Sequence, residues 1–212
     1  MELGRPNLEE FAATLVELGR QDRDLLVLTS DSRGSGKLAP FADAVPQQIV
    51  EVGIAEQNLV GMAAGLTAAG KNVFAVSPAC FLTARAFEQI KNDVAYSDRP
   101  VRLIGISAGV SYGALGSTHH SLHDFAALRA INNIDIVAPA DNFETREAIR
   151  AAANYPRPIY IRFGKKAMPH LHAPDTSFEI GRAITLRQGA DVTFIATGEA
   201  VAPERDSAPD LE

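Results

Sequence analysis

Glu51 to Leu66 reads EVGIAEQNLVGMAAGL. A strand-like opening turns at Gly53 into a run of small apolar residues that suits a helix, with Glu56 at the helix start. The same junction recurs along the chain. Upstream, LLVLT at 25 to 29 is a short continuous apolar run of the kind buried on both faces of a sheet, preceded by a helix with Leu8, Phe11, Leu15 and Leu18 on one face. Asn7 is expected to cap that helix, with Glu10 answering three residues later. Downstream come NVFAV at 72 to 76, a helix from about Leu82 to Ala95 and VRLIGI at 101 to 106. A long glycine-bearing loop, a helix from about Ser121, DIVAP at 135, a helix from Asn142 to Ala153 and PIYIRF at 158 follow. This cadence predicts an α/β fold, a parallel sheet with helices on both faces.

The sheet is expected to be complete by about Gly164. Residues 1–168 then form one domain and 169–178 a linker within the Pro- and His-rich KKAMPHLHAPDTS. Residues 179–200, containing ADVTFIATGEA, read as a hairpin and first strand of a second, incomplete α/β domain, and 201–212 as a disordered polar tail.

Composition narrows the function. The 212 residues carry a net charge of -6, with 46% hydrophobic and 22% charged residues. No dense Lys and Arg cluster offers a nucleic-acid groove or a membrane-surface patch. Cys80 is the only cysteine, which precludes an internal disulfide. The sequence shows neither a secretory signal nor an apolar stretch of about 20 residues, so the cytoplasm is the expected compartment.

Ligands of open parallel sheets bind beyond the carboxyl ends of the strands. Four loops there are unusual: SDSRGSGK at 30 to 37, GIAEQ at 53 to 57, SPACFLTARAF at 77 to 87 and SAGVSYGALGSTHH at 107 to 120. Glu56 has two readings. A carboxylate in the first turn suits the helix dipole, and a partly buried one can also share a proton with a ligand nitrogen. Phe81 and Phe87 are either core residues or, at a strand-to-helix junction, rings able to stack on a planar heterocycle. His119 and His123, four residues apart, could share a face and bind zinc, but the HExxH carboxylate is missing and no third ligand is evident. A histidine at the mouth of a glycine loop reads better as a hydrogen-bond donor or proton shuttle. Lys37 is followed by Leu38, which argues against a nucleotide-binding P-loop. No metal ligands are assigned in this chain.

Five blocks, EVGIAEQN, FLTARAFEQIKNDVAYS, GALGSTHHSLHD, VAPADNFETREAI and PIYIRFGK, stand in order and spacing. Together, across about residues 5 to 170, they resemble the pyrimidine-binding domain of transketolases, especially the split type whose halves are separate chains. The resemblance implies that Glu56 hydrogen-bonds the aminopyrimidine of thiamine diphosphate and acts as acid and base for it. It implies that Phe81 stacks on the pyrimidine, with Phe87 a second aromatic, and that Asp31 lies near the cofactor at a dimer seam. It places His119 at substrate oxygens, and Ser35 and Lys165 at sugar phosphate, Lys165 standing in for an arginine. Leu115 replaces an acidic residue that reads a sugar hydroxyl and Ser107 a phosphate-binding histidine, so the usual pentose phosphates are not implied.

No GDG occurs in the chain. The resemblance therefore implies that magnesium and the diphosphate are held by a diphosphate-binding partner subunit, in a homodimer or heterotetramer, and that this chain alone does not turn over. The expected activity is transfer of a two-carbon ketol unit from a ketose to an aldose, either of them free or phosphorylated. Two alternatives stand beside it: a condensation like that of 1-deoxyxylulose-5-phosphate synthase, which shares Thr118, His119 and Asp124, and a noncatalytic interaction module.

Overall fold

The computed structural model describes residues 2–173 and 175–203. Six strands form one sheet: β2 (Leu25–Thr29), β3 (Ile49–Glu51), β4 (Asn72–Pro78), β5 (Arg102–Ile106), β6 (Asp135–Val137) and β7 (Ile159–Arg162). Their order is β3-β2-β4-β5-β7-β6, and every pairing is parallel. This is the α/β architecture that the strand–helix cadence predicts.

The apolar runs are buried on both faces, as parallel sheets require. One face turns Leu25, Val27, Phe74, Val76, Ile104, Ile106, Ile159 and Ile161 toward α1 (Asn7–Gln21), α2 (Ala39–Ala44) and α7 (Asn142–Ala153). The other turns Leu28, Val73, Ala75, Leu103 and Tyr160 toward α3 (Glu56–Ala68), α4 (Ala79–Arg85), α6 (Asp124–Arg129) and the helical segment between α4 and β5. That segment is not the single helix expected over 82–95. Ala86 leaves the helical region at φ -99° and ψ 19°, a short α5 follows over Phe87–Gln89, and the chain widens into a π-helix over Ile90–Tyr96. Arg102 reaches from β5 to the end of α7, donating to the carbonyls of Ala152 at 2.7 Å and Ala153 at 2.9 Å. It satisfies carbonyls that the helix itself leaves open; burial lowers its pKa to about 10.

Three expectations are corrected. Asn7 does not cap α1: the helix is entered from Pro6, and Asn7 is buried, accepting from Asn142 Nδ2 at 2.8 Å. Glu10 turns instead to Arg5 and Arg146. The segment 169–178 is docked at its start. Leu3–Pro6 (β1) pairs antiparallel with Ala167–Pro169 (β8), and His172 packs on the start of α7. Residues 183–196 form no hairpin. Strands need ladder partners, and none meets this segment among the described residues. Val192, Phe194 and Ile195 are consequently exposed.

The tail expectation divides at Pro203. Residues 201–203 are helical, with Ala202 packed beside Ala140, Met168 and Leu171, whereas 204–212 lie outside the described residues. Among the described residues no helix is long and apolar enough to cross a membrane.

Candidate functional site

Because all six strands run parallel, the loops after β2, β3, β4 and β5 emerge at one edge of the sheet. Residues 52–55 lead there into α3, and Glu56 is the first residue of that helix, 3% exposed. A carboxylate at a helix start is favoured by the dipole, but such burial also demands a partner. That partner is Arg85, whose Nη1 lies 2.9 Å from Glu56 Oε1. Arg85 is the last residue of α4 and Phe81 sits four residues earlier, so the guanidinium lies over the Phe81 ring, 4.2 Å from its centroid.

Phe81 continues the run. Its ring meets His119 edge-on at 5.2 Å, and His119 meets Tyr112 in the same way at 5.2 Å. Lys165 Nζ stands 3.9 Å above the Tyr112 ring. An unbroken succession of contacts therefore joins Glu56, Arg85, Phe81, His119, Tyr112 and Lys165. The start of α3, helix α4, the 107–120 loop and the segment just after β7 contribute to it.

The 107–120 loop is held at both ends. Ser107 opens it with φ 57°, and Gly109, Gly113 and Gly116 take positive φ, where a side chain is disfavoured. Gly109 and Ser121 bridge backbone to backbone. Beyond the bridge, Asp124 is buried and bound by Arg162 and by the Tyr160 hydroxyl, which donates at 2.9 Å. His119 Nδ1 lies 2.9 Å from the Thr118 hydroxyl; with that hydroxyl donating, the ring proton sits on Nε2. Burial pushes the Tyr112 phenol up, and the nearby Ser107 hydroxyl works against that shift.

Of the expected site residues, Glu56, Phe81, His119 and Lys165 are brought together. Asp31 and Ser35 belong to the neighbouring loop after β2. Asp31, at φ 50°, donates its backbone N–H to Glu51 Oε1 at 2.6 Å, and Ser35 makes a long 3.4 Å bond to the Ser32 carbonyl. Phe87 is half-buried at the start of α5 and stands outside the run. His123 is 3.3 Å from the Thr83 hydroxyl, whereas His120 bonds the Gly113 carbonyl. Cys80 is buried and its thiol is pushed up by desolvation, which suits a filler rather than a nucleophile.

Two members of the run, Arg85 and Tyr112, carry no motif of their own. The i, i+4 spacing of Arg85 from Phe81 is a signal that could have found it; Tyr112 has none, because its placement depends on the path of a glycine loop. Among the described residues, no three His, Cys, Asp or Glu side chains are grouped so as to hold a metal ion.

The pattern that defines the transketolase pyrimidine-binding domain matches residues 8–170. The chain is 50% identical over 194 residues to one of the apulose-4-phosphate transketolase subunits of Phocaeicola vulgatus, covering 91% of this chain and 62% of that protein. It is 37% identical over 196 residues to the 1-deoxy-D-xylulose-5-phosphate synthase of Pelotomaculum thermopropionicum, covering 91% of this chain and 30% of that one. A solved split-gene transketolase, described as an inactive beta4 tetramer, superposes with a TM-score of 0.88 at 38% identity, covering 98% of this chain and 67% of that one. The chain thus spans about three fifths of the length of the apulose-4-phosphate transketolase relative and a smaller share of the synthase.

Proposed function

Because the chain belongs to the transketolase pyrimidine-binding-domain family, we propose that it is one half of a split, thiamine diphosphate-dependent transketolase. In this reading it supplies the pyrimidine end of the cofactor site and works in the cytoplasm, in a dimer or heterotetramer. A second chain holds the diphosphate and magnesium. The complex moves a two-carbon ketol unit from a ketose to an aldose, free or phosphorylated. The observation that carries the reading is Glu56: a 3% exposed carboxylate at a helix start, beside an aromatic face, whose ion-pair partner is a 47% exposed arginine side chain. Those surroundings fit a flat heterocycle with a basic edge nitrogen.

When bound, thiamine diphosphate supplies the electron sink needed to break the ketose carbon–carbon bond. The chain's residues prepare that chemistry. Glu56 shares a proton with the pyrimidine ring nitrogen and acts as its acid and base. Phe81 would stack on the ring and fix its plane, with Asp31 at the seam with the neighbouring protomer. His119, with Nδ1 engaged by Thr118, turns Nε2 toward a substrate hydroxyl or carbonyl oxygen. Lys165 and Ser35 receive the distal end of the sugar; as a point charge, Lys165 attracts phosphate without the fork of an arginine.

The likeness to the synthase, together with Thr118, His119 and the buried Asp124, favours a second reading, condensation of pyruvate with an aldehyde. Assay of the two-chain complex separates the two. Ketose cleavage without pyruvate consumption supports the transketolase, and the reverse supports the synthase. Glu56→Gln tests the noncatalytic alternative. It is expected to lower turnover roughly 10²- to 10⁴-fold with association of the chains intact, and unchanged turnover would end the proposal.

A further inference from the structure

The contacts of Arg85 coincide with those the ring site must make. The guanidinium pairs with the Glu56 carboxylate at 2.9 Å through an edge N–H and covers the Phe81 face at 4.2 Å. A planar cation with N–H groups on its rim presents the same two features as a protonated aminopyrimidine: an edge that donates to a carboxylate and a face that stacks on an aromatic ring. We infer that Arg85 is a latch occupying the pyrimidine position of the cofactor-free chain, so that cofactor binding is an exchange in which the ring displaces the guanidinium from Glu56 and Phe81. This rests on the reading of Glu56 and Phe81 given above.

The physical reasons lie in the surroundings. Glu56 is a buried carboxylate that needs a counter-ion, and Arg85 supplies one from a half-exposed side chain. Its side chain is 47% exposed and sits on the last residue of α4, where Ala86 breaks the helix. From there the guanidinium can swing to solvent by rotation of its own side chain. Arg85 is a positioning residue, pairing with Glu56 and covering Phe81 until the ring arrives.

Two measurements test the exchange. In the complex with its partner chain, thiamine diphosphate with magnesium is titrated into wild type, Arg85→Ala and Arg85→Gln by calorimetry. Loss of one part-buried ion pair and one cation–π contact that the ring must displace is expected to tighten binding about tenfold in both variants. If wild type binds and the variants bind equally or more weakly, Arg85 belongs to the loaded site and the latch is wrong. If the wild-type complex fails to bind at all, the ring-site reading falls and the latch falls with it.

The second measurement needs no cofactor. The melting temperature of the free chain should drop in Arg85→Ala, and Glu56→Gln should remove that drop in the double variant. Additive effects of the two substitutions would overturn the latch even where the cofactor site stands.

Discussion

Arg162 Nη1 lies 2.8 Å from Asp124 Oδ1 and 2.9 Å from Oδ2, joining the end of β7 to the first residue of α6. The same guanidinium covers the Phe125 ring at 4.4 Å. Asp124 is 1% exposed and also accepts from the Phe125 N–H and the Tyr160 hydroxyl. This buried knot fixes the far end of the loop that carries His119. Asp124→Ala leaves Arg162 and Tyr160 without their shared acceptor and is expected to cost roughly 3–5 kcal/mol of stability, read by urea denaturation. Arg162→Lys should lose less, because a single ammonium still neutralises the carboxylate. Equal stability of wild type and Asp124→Ala would show that the knot does not hold the fold.

A second buried charge cluster makes stability depend on pH. His172 Nδ1 lies 3.0 Å from Asp141 Oδ2 and Nε2 lies 3.1 Å from Glu144 Oε1, with the side chain 1% exposed. Burial opposes both shifts and is outweighed in each: the two carboxylates raise the His172 pKa from 6.5 to about 9, while His172 and the backbone N–H groups of Glu144 and Leu171 hold Asp141 below its usual range. The unfolded chain binds its histidine proton only below about 6.5. The contribution of His172 is therefore full below that value and fades as pH rises toward 9; that of Asp141 fades as pH falls through the carboxylate range. Denaturation midpoints should decline between pH 6.5 and 9 in wild type and decline less in His172→Gln. The linkage is about 3 kcal/mol. Parallel pH profiles for the two proteins would contradict this assignment.

Lys165 stands above Tyr112 at the outer end of the aromatic run. Lys165→Ala is expected to raise KM for phosphorylated sugars about 10- to 100-fold, the worth of one hydrogen bond to a charged group. KM for the unphosphorylated sugars should hold steady. A uniform fall in kcat across both classes would move Lys165 from recognition to chemistry.

The reach of the sequence differs from element to element. The buried strands are readable because runs such as LLVLT and VRLIGI have few alternatives, and Glu56 is readable because a strand, a glycine and a helix start bracket it. The helix after β4 reads as continuous and is not, since Leu82, Ala86, Ile90 and Val94 fit an apolar stripe whether or not Ala86 keeps helical dihedrals. The Asn7 cap fails because Asn142, far along the chain, competes for the same side chain. His172 sits inside an apparent linker, and only the position of Asp141 and Glu144 in space shows why it is docked. Tyr112 joins the site for a similar reason: its contacts with His119 and Lys165 cross loops, and no local pattern encodes them.

In the proposed function, Glu56 moves a proton at the pyrimidine edge and thereby drives proton removal elsewhere on the cofactor. Exchange of the thiazolium C2 proton for deuterium, followed by NMR after rapid quenching, measures that consequence without any sugar present. In the two-chain complex, wild type should accelerate exchange over free thiamine diphosphate, and Glu56→Gln should lose most of the acceleration, on the order of 10²-fold or more, with cofactor still bound. Equal exchange rates in wild type and Glu56→Gln would show that Glu56 does not move that proton.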